Sequence, residues 1–506
     1  QSLLTAAGRV GRFPAARVPA AELDALIERL DRRGDAAPVD VYELTPMQGG
    51  MLFHSLYDAR GSVYFEQFSF VLEEAVDGAA LRQAWQQIVA RYEVFRTAFF
   101  WEGLSRPLQA VFERAELPWR EEDWSALPAG ERTAALQRLR DEDIGRGFDL
   151  GAAPLCRWVL IRLSDEEYFF LWSHHHLLLD GWSLQQVFEE AFTLYRLIAS
   201  GTAPAIEPSP RFVGYIDWLH SQERSVDETR RHWQHVLAGF HTPTPVPLAR
   251  TTTAEPGSRN YRFQEVELQL SATETRALAD FARRERLTVS TVLQGLWALF
   301  LSRATGERDV VFGATVSGRT TDIPDVDDMV GLLINGMPIR ARVDEGRIPG
   351  EWLRELQEQT ALAQSFAYTP LVDIQAWSDL APGTNLFNTL VVFENYPLDP
   401  RRQTQIADLR IRDLRIIEQT NFPLLLVVFP GERLTLRLTS DPLVFDADTS
   451  EAELRHLATM LRTLSRPDIA RLAEVEMLDE REQWQIVGDW NQTAVEHGRS
   501  ETLHAL

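Results

Sequence analysis

The order strand, helix, strand occurs in each half of this chain and constrains its fold more than any other feature of the sequence. A stretch rich in Pro, Thr and Gly between residues 242 and 258 separates the two copies, and such residues interrupt regular structure. Alternating strands and helices favour mixed α/β lobes. The predicted segments are a strand at 68–72, a helix at 79–91 and a strand at 95–101, then a strand at 263–270, helices at 272–285 and 289–303, and a strand at 310–315. Two α/β lobes are therefore expected.

The length and charge of the chain limit its class. Its 506 residues are too many for one ordinary core and fit two or three domains. The formal net charge is −23, and all 51 basic residues are arginine. An acidic surface repels phosphate backbones, so we expect no nucleic-acid partner.

The cysteine content and the apolar runs indicate a cellular compartment. Cys156 is the only cysteine, which excludes an internal disulfide framework and suits a reducing environment. The longest apolar run, 422–429, is far shorter than the roughly 20 residues that span a membrane. The opening residues do not have the pattern of a signal peptide. We therefore expect a cytoplasmic protein with no membrane partner.

The chain divides into four predicted segments. Residues 1–38 have no strand pattern, and their only regular element is a short amphipathic helix at 21–30, so we expect a linker there. An N-terminal lobe at 39–225 and a C-terminal lobe at 226–478 follow. Residues 479–506 are the fourth segment.

Three adjacent histidines end a predicted apolar strand. Successive side chains of a strand point to opposite faces, so His174 and His176 share one face while His175 takes the other. Asp180 and Gly181 follow four and five residues after His176. This spacing indicates a catalytic site, because one imidazole can face a cavity while its neighbour is held in the core.

The histidine run and five further segments match one known pattern. His175, His176, Asp180 and Gly181 fill the signature H-H-x-x-x-D-G. The further matches lie, in order, at residues 44–54, 91–97, 215–218, 330–335 and 386–397. In these segments the chain resembles the condensation domain of nonribosomal peptide synthetases, and the resemblance covers most of its length.

The resemblance implies a fold, a reaction and partners. The fold would be α/β, with two chloramphenicol-acetyltransferase-like lobes forming a V-shaped pseudo-dimer and a tunnel between them. The reaction would be peptide-bond formation between a peptidyl group on an upstream donor carrier protein and an aminoacyl group on a downstream acceptor carrier protein. No cofactor would be bound directly, because the substrates are carried on the 4'-phosphopantetheine of the carrier proteins. Residues 479–506 resemble the linker toward an adjacent adenylation domain.

The resemblance also implies roles for the signature residues. His176 would be the active group, as a base or by positioning the amine, with His175 as its structural neighbour. Asp180 would form a structural salt bridge with Arg319, which follows a Ser-Gly pair as in the family. If that pair is buried, removing one partner would cost about 3 to 5 kcal/mol.

The residues around these groups have more than one interpretation. Gly181 either lends its backbone N–H to a developing oxyanion or is needed for its turn dihedrals. Asn335 either lines the tunnel or caps a backbone turn. Trp182, Ser183 and Ser317 are candidates for the tunnel wall, with a core position as the alternative for Trp182.

Rival functions require residues that the sequence lacks. A metal site at His174 and His176 lacks a further Cys, His or carboxylate motif, so we expect no metal. Residues 313–320 imitate a phosphate-binding loop but have arginine in place of its lysine. An epimerisation domain shares the histidine signature, yet its Glu-Gly-His-Gly-Arg-Glu block is absent. A non-catalytic carrier-docking platform is the remaining alternative, although its histidine signature is commonly degraded.

Three segments indicate a subtype. Residues 50–54, 368–378 and 393–397 look more like domains that accept a donor residue of D configuration than like those that accept an L residue. We therefore predict a D-configured donor and an L or achiral acceptor.

Overall fold

The computed structural model describes residues 12–34, 36–57, 63–204, 207–222, 225–247, 263–394, 405–406 and 409–493. The strands are β1 (Pro38–Glu43), β2 (Phe65–Leu72), β3 (Thr97–Phe100), β4 (Leu108–Phe112), β5 (Trp119–Asp123), β6 (Cys156–Arg162), β7 (Tyr168–His175), β8 (Gln264–Gln269), β9 (Asp309–Val316), β10 (Asn335–Arg342), β11 (Thr389–Phe393), β12 (Gln405–Ile406), β13 (Leu409–Glu418), β14 (Leu424–Phe429) and β15 (Thr435–Ser440). The helices are α1 (Ala20–Arg33), α2 (Pro46–Tyr57), α3 (Gly78–Arg91), α4 (Ala129–Arg146), α5 (Gly181–Ala199), α6 (Val213–Gln222), α7 (Val226–Leu237), α8 (Ala272–Glu285), α9 (Val289–Thr305), α10 (Pro349–Gln364), α11 (Leu371–Trp377), α12 (Ala447–Leu464) and α13 (Glu480–Val487).

The strand, helix, strand order predicted for each half is present. In the first half it is β2, α3 and β3, and in the second half it is β8, α8, α9 and β9, all close to the predicted bounds. One difference lies at 95–101, where a short 3-10 helix, Glu93–Arg96, precedes β3.

Three sheets organise these elements into two lobes. The first half contains the small antiparallel sheet β1-β4-β3 and most of the sheet β12-β13-β2-β7-β6-β5. The second half contains the sheet β10-β9-β11-β14-β15-β8. Each large sheet has its own apolar core, one around Trp85 and Trp172 and the other around Trp297 and Leu426. The predicted two-lobed α/β fold is confirmed.

One strand crosses from the second half of the chain into the sheet of the first lobe. β13 pairs antiparallel with β2, and in that register Glu418 lies opposite Glu66. The predicted division at residues 225 and 226 therefore does not separate the lobes cleanly, because residues 409–418 complete the first sheet. The pairing joins segments far apart in the chain, so local periodicity does not reveal it.

The two predicted linkers are structured where they are described. Helix α1 buries Leu23, Leu26 and Leu30 against the β1-β4-β3 sheet, because this spacing places all three on one helix face. Residues 12–34 thus pack as part of the first lobe instead of forming a free linker. At the other end α13 contacts α12, where Glu482 Oε1 lies 3.2 Å from His456 Nε2. Residues 1–11, 35 and 494–506 lie outside the described residues.

The histidine run lies at the end of a central strand. β7 is flanked by β2 and β6, and all of its residues after Tyr168 are buried. The strand ends at His175, and α5 begins at Gly181 after its N-cap residue Asp180, whose side chain accepts a hydrogen bond from the Ser183 N–H. The signature therefore forms the connection between a buried strand and a capped helix.

Candidate active site

The antiparallel register of β2 and β7 determines which histidine side chains lie together. Glu66 is directly opposite His174, so both side chains point to the same face of the sheet. The next residue on that face is His176, whose N–H donates to the Tyr64 carbonyl at 2.8 Å. The face shared by His174 and His176 thus contains a carboxylate between them.

The Glu66 carboxylate contacts both of these imidazoles. Its Oε2 lies 2.8 Å from His174 Nε2, and its Oε1 lies 3.1 Å from His176 Nδ1. Burial raises the pKa of Glu66, but its interactions with His176, His174 and His175 together bring that pKa below its ordinary value. Glu66 is therefore a carboxylate in the folded protein.

The hydrogen bonds of His176 fix its tautomer. Its Nδ1 lies 2.7 Å from the Leu179 carbonyl oxygen. A carbonyl can only accept a hydrogen bond, so Nδ1 bears the proton and Nε2 of the neutral ring keeps its lone pair. The His176 side chain is 23% exposed, whereas that of His174 is fully buried. His176 can therefore accept a proton from a group outside the core.

His175 carries its proton on the other ring nitrogen. Its Nδ1 accepts the Leu177 N–H at 3.2 Å, so the proton lies on Nε2, which is 3.2 Å from Ser55 Oγ. The Ser55 hydroxyl donates to the Met51 carbonyl, which leaves its oxygen free to accept. Burial, together with the charges of His176 and His174, lowers the pKa of His175 to about 3. His175 is thus a neutral residue that joins β7 to α2.

Asp180 and Arg319 form a buried ion pair between the two halves of the chain. Arg319 Nη2 lies 3.0 Å from Asp180 Oδ1, and the two side chains are 5% and 1% exposed. Asp180 Oδ2 also accepts the Leu333 N–H at 3.0 Å. The Arg319 Nη1 donates to the carbonyls of Val326 and Met329. The contacts of Asp180 thus join α5 to the 326–333 segment.

Ser183 and Asn335 are held by internal hydrogen bonds. Ser183 is fully buried, and its hydroxyl donates to the Gly331 carbonyl while accepting from the Gly331 N–H and from Arg319 Nη2. Asn335 is 7% exposed, and its Nδ2 donates to the carbonyls of Ala367 and Thr369. Both side chains thus form hydrogen bonds with backbone groups of other segments.

The other predicted wall residues lie nearer the surface. Trp182 is 37% exposed; its Nε1 donates to the Asp327 carbonyl, and the Arg319 guanidinium lies 5.8 Å from its ring centroid. Ser317 is exposed, and its hydroxyl accepts the Arg319 N–H at 3.1 Å. Both therefore contact Arg319.

Gly181 is the first residue of α5, at the positive end of the helix dipole. Its φ angle is not positive. A left-handed turn is thus not the reason for glycine at this position, and its backbone N–H remains the candidate group.

Several residues of this site were missed by the sequence analysis. Tyr64 has a φ of 62°, in the region that favours glycine, and its hydroxyl donates to Asn421 Oδ1 at 2.6 Å. Asn421 Nδ2 in turn lies 3.2 Å from His54 Nε2. Glu66 was also missed, although an acidic residue within an apolar strand run was a usable signal. Its partners depend on strand register, which local sequence does not determine.

Two further carboxyl groups, those of Glu418 and Glu394, lie near Glu66. Desolvation, then the charge of Glu66, raises the pKa of Glu418 to about 6 although its side chain reaches solvent. Desolvation, then the charge of Glu418, raises the pKa of Glu394 well above its ordinary value. Arg437 opposes both shifts. The site is therefore an acidic recess.

Two negative observations apply to the described ranges only. Among these residues, His, Cys, Asp and Glu side chains do not come together in threes in a way that could hold a metal ion. Within the same ranges, every helix is too short or too polar to cross a membrane.

The chain matches a known family model and curated relatives. The condensation domain model matches residues 39–487. One of the proteins that make up the linear gramicidin synthase of Brevibacillus parabrevis is 38% identical over 492 residues, which are 97% of this chain and 6% of that protein. Bacitracin synthase 3 of Bacillus licheniformis is 31% identical over 483 residues, which are 95% of this chain and 8% of that protein. The chain therefore spans only a small part of the length of these relatives.

Two solved structures have a similar fold. The starter condensation domain of rhizomide synthetase has a TM-score of 0.70 at 17% identity, covering 87% of this chain and 100% of that one. The first condensation domain of the calcium-dependent antibiotic synthetase, in complex with a substrate analogue, has a TM-score of 0.70 at 21% identity and the same coverage. At such identities the likeness shows the fold alone, whereas the family model covers most of the chain. This chain belongs to the condensation-domain family.

Proposed function

We propose that this chain forms a peptide bond between two carrier-bound substrates. The donor is a peptidyl thioester on an upstream carrier protein, and the acceptor is an aminoacyl thioester on a downstream one. The observation that carries this proposal is the free Nε2 of His176, on a partly exposed ring whose Nδ1 is fixed by the Leu179 carbonyl. Family membership and the peptide synthases among the relatives support it.

The chemistry needs one proton acceptor near the amine. The acceptor amine attacks the thioester carbonyl, so a C–N bond forms and the C–S bond breaks. An α-amino group has an ordinary pKa of roughly 7.7 to 8.0, so part of it is already neutral near pH 7. His176 Nε2 takes the proton that the nitrogen loses and returns it to the departing thiolate. A base of this kind contributes about 10² to 10⁴ in rate.

The neighbouring residues serve the same step in different ways. The Gly181 N–H, at the start of α5, is proposed to stabilise the oxyanion of the tetrahedral intermediate. Asp180 is proposed to act through structure, because Arg319, Ser183 and Leu333 already occupy its carboxylate. His175 is proposed to be structural, since it is neutral and buried.

The remaining features of the proposal concern the context of the chain. Both substrates are held on 4'-phosphopantetheine and reach His176 through a tunnel between the lobes, with an adenylation domain as a neighbour in the same cytoplasmic synthetase. The donor residue has the D configuration and the acceptor is L or achiral. Of the residues that support this subtype, 395–397 lie outside the described ranges.

The test is transfer between loaded carrier proteins. Donor carriers ending in a D residue or in its L epimer are mixed with an aminoacyl acceptor carrier and this chain, and the product is detected by intact mass. We expect transfer that prefers the D donor and falls by about 10² or more in H176A. Transfer at the wild-type rate in H176A would contradict the role of His176.

The same experiment separates the rivals. Exchange of the donor α-hydrogen in heavy water without transfer would indicate an epimerisation domain of the same fold. Carrier binding without either activity would indicate a docking platform.

A further inference from the structure

We propose that Glu66 is a positioning residue for His176: its carboxylate holds the imidazole in place and stabilises the imidazolium that forms when Nε2 takes a proton. This inference rests on the proposed function, because it needs His176 to act as a base. It assigns a role to a residue on β2, outside the histidine signature.

The two acceptors around His176 Nδ1 have different tasks. The Leu179 carbonyl oxygen, at 2.7 Å, receives the directed hydrogen bond and so fixes the tautomer. Glu66 Oε1 approaches the same nitrogen at 3.1 Å. A carbonyl bears only a partial charge, whereas a carboxylate bears a full one, so Glu66 favours the charged ring over the neutral ring far more than Leu179 does.

The core holds Glu66 in this position. Its other oxygen lies 2.8 Å from Nε2 of His174, whose ring is fully buried. The His174 ring stacks on Trp172, at a centroid distance of 4.7 Å, and on Phe68, at 5.9 Å. These ring contacts hold His174, and the Glu66 carboxylate lies between the fixed His174 ring and His176. A fixed charge of this kind needs no reorganisation when the proton is transferred.

The cost of burying Glu66 argues against a merely structural role. Every residue of β2 is buried, and Glu66 is 7% exposed. A carboxylate in such a strand is expensive unless it is paired, and an apolar residue would stabilise the strand more simply. A purely structural role would therefore not explain why this carboxylate contacts a histidine that is partly exposed.

Other titratable groups lie around this pair. His175 on β7 also acts on Glu66, and Glu418 on β13 and Glu394 after β11 interact with Glu66. Asp180 before α5 and Arg437 on β15 act on Glu394, whose pKa is raised well above its ordinary value, so that Glu394 adds less negative charge than an ordinary carboxylate. Glu66 is the carboxylate in contact with the His176 ring.

The test is the pH dependence of transfer in E66Q. Glutamine keeps the shape and an oxygen near Nδ1 but removes the charge. The single-turnover rate is measured from about pH 5.5 to about pH 9, the range in which histidine titrates, with a weakly basic aminooxy acceptor whose own titration lies below that range. An adjacent negative charge favours the charged form of a base, so the acidic limb of the E66Q rate profile should lie at lower pH than that of the wild-type protein. The plateau rate should fall about 10- to 100-fold, as for carboxylates that orient metal-binding histidines.

The matched control is E43Q. Glu43 also pairs with a histidine, since its Oε2 lies 2.9 Å from His220 Nε2, and the two side chains are 12% and 13% exposed. This pair lies outside the site, so E43Q should keep the acidic limb and the plateau of the wild-type rate profile.

The variant E66D keeps the charge on a shorter side chain. Its rate profile should keep the wild-type acidic limb, while its plateau rate falls.

The outcomes separate this inference from the proposed function. If the wild-type chain transfers neither donor, the proposed function fails. If H176A transfers at the wild-type rate, the role of His176 as a base fails, and the role of Glu66 fails with it. If H176A is inactive but folded E66Q keeps both the wild-type limb and the wild-type plateau, only the role of Glu66 is overturned. If E66Q does not fold, E66D provides the test. A wild-type plateau rate in E66D would show that the 3.1 Å contact between Glu66 Oε1 and His176 Nδ1 is not needed.

Discussion

Replacing Arg319 by methionine should destabilise the protein by about 3 to 5 kcal/mol. Methionine has a similar length but no charge and no donor. Breaking a buried ion pair by removing one partner typically costs this amount, because the other charge is left uncompensated. Asp180 is 1% exposed in its side chain, so water cannot replace the lost partner.

The contacts of Arg319 account for this magnitude. Its Nη1 donates to the carbonyls of Val326 at 2.8 Å and Met329 at 2.9 Å, and losing a donor to each costs about 1 kcal/mol or more. The loss of the ionic contact to Asp180 adds about 1 to 3 kcal/mol. Asp180 keeps its hydrogen bonds from the Ser183 and Leu333 N–H groups, which prevents a larger loss.

The assay is urea unfolding followed by tryptophan fluorescence, with hydrogen exchange of the 326–335 segment to locate the effect. The exposed pair Arg283–Asp280, whose side chains are 76% and 57% exposed, provides the control R283M, which should cost no more than about 1 kcal/mol. The double variant D180N/R319M should be more stable than R319M, because it no longer buries a lone charge. A loss below about 1 kcal/mol in R319M, or a double variant less stable than R319M, would refute the reasoning.

Three further predictions concern groups outside this pair. Glu453 is fully buried, and among the described residues neither of its carboxyl oxygens has a hydrogen-bond partner. Burial raises its pKa from 4.5 to about 8, so between these pH values the folded state keeps a proton that the unfolded chain has lost. The stability of the folded state should therefore fall as the pH rises through that window. The variant E453Q should lose this dependence in thermal unfolding; the same pH dependence in E453Q as in the wild-type protein would contradict the prediction. G331A should lower the free energy of unfolding in urea by about 1 to 3 kcal/mol, because a Cβ there would lie 2.3 Å from the ring of Phe212. The control G336A should lower it less, because a Cβ at residue 336 would meet open space. Q48L removes the 3.0 Å hydrogen bond to the Leu177 carbonyl. It should lower the free energy of unfolding by about 1 to 3 kcal/mol and slow transfer between the carriers. A wild-type transfer rate in Q48L would refute the predicted effect on transfer.

The parts of the fold that depend on local pattern could be predicted from the sequence. Helix α8 has its predicted bounds because Ser271 and Glu274 form a capping box at its start, which is a local signal. The strand that ends at His175 is predictable for the same reason, since its apolar run stops there.

The parts that depend on contacts between distant segments could not be predicted. The role of Glu66 requires the register of β2 against β7, which brings it opposite His174. The prediction of a tunnel-wall position for Ser183 follows from its place after the signature, but the first turn of α5 points its hydroxyl at Gly331 in the second half of the chain. The packing of helix α1 was not predicted, because the sheet that covers its apolar face forms only in three dimensions.

The crossing strand β13 has a consequence for synthesis of the chain. β2 has β7 on one side and β13 on the other, and β13 ends at Glu418. At about 5 to 20 residues per second, the ribosome needs on the order of tens of seconds to reach β13 after completing β2. During that interval β2 is an unpaired edge of the kind that recruits other strands. The first lobe is therefore the first to begin folding and yet cannot finish until most of the second lobe has been made.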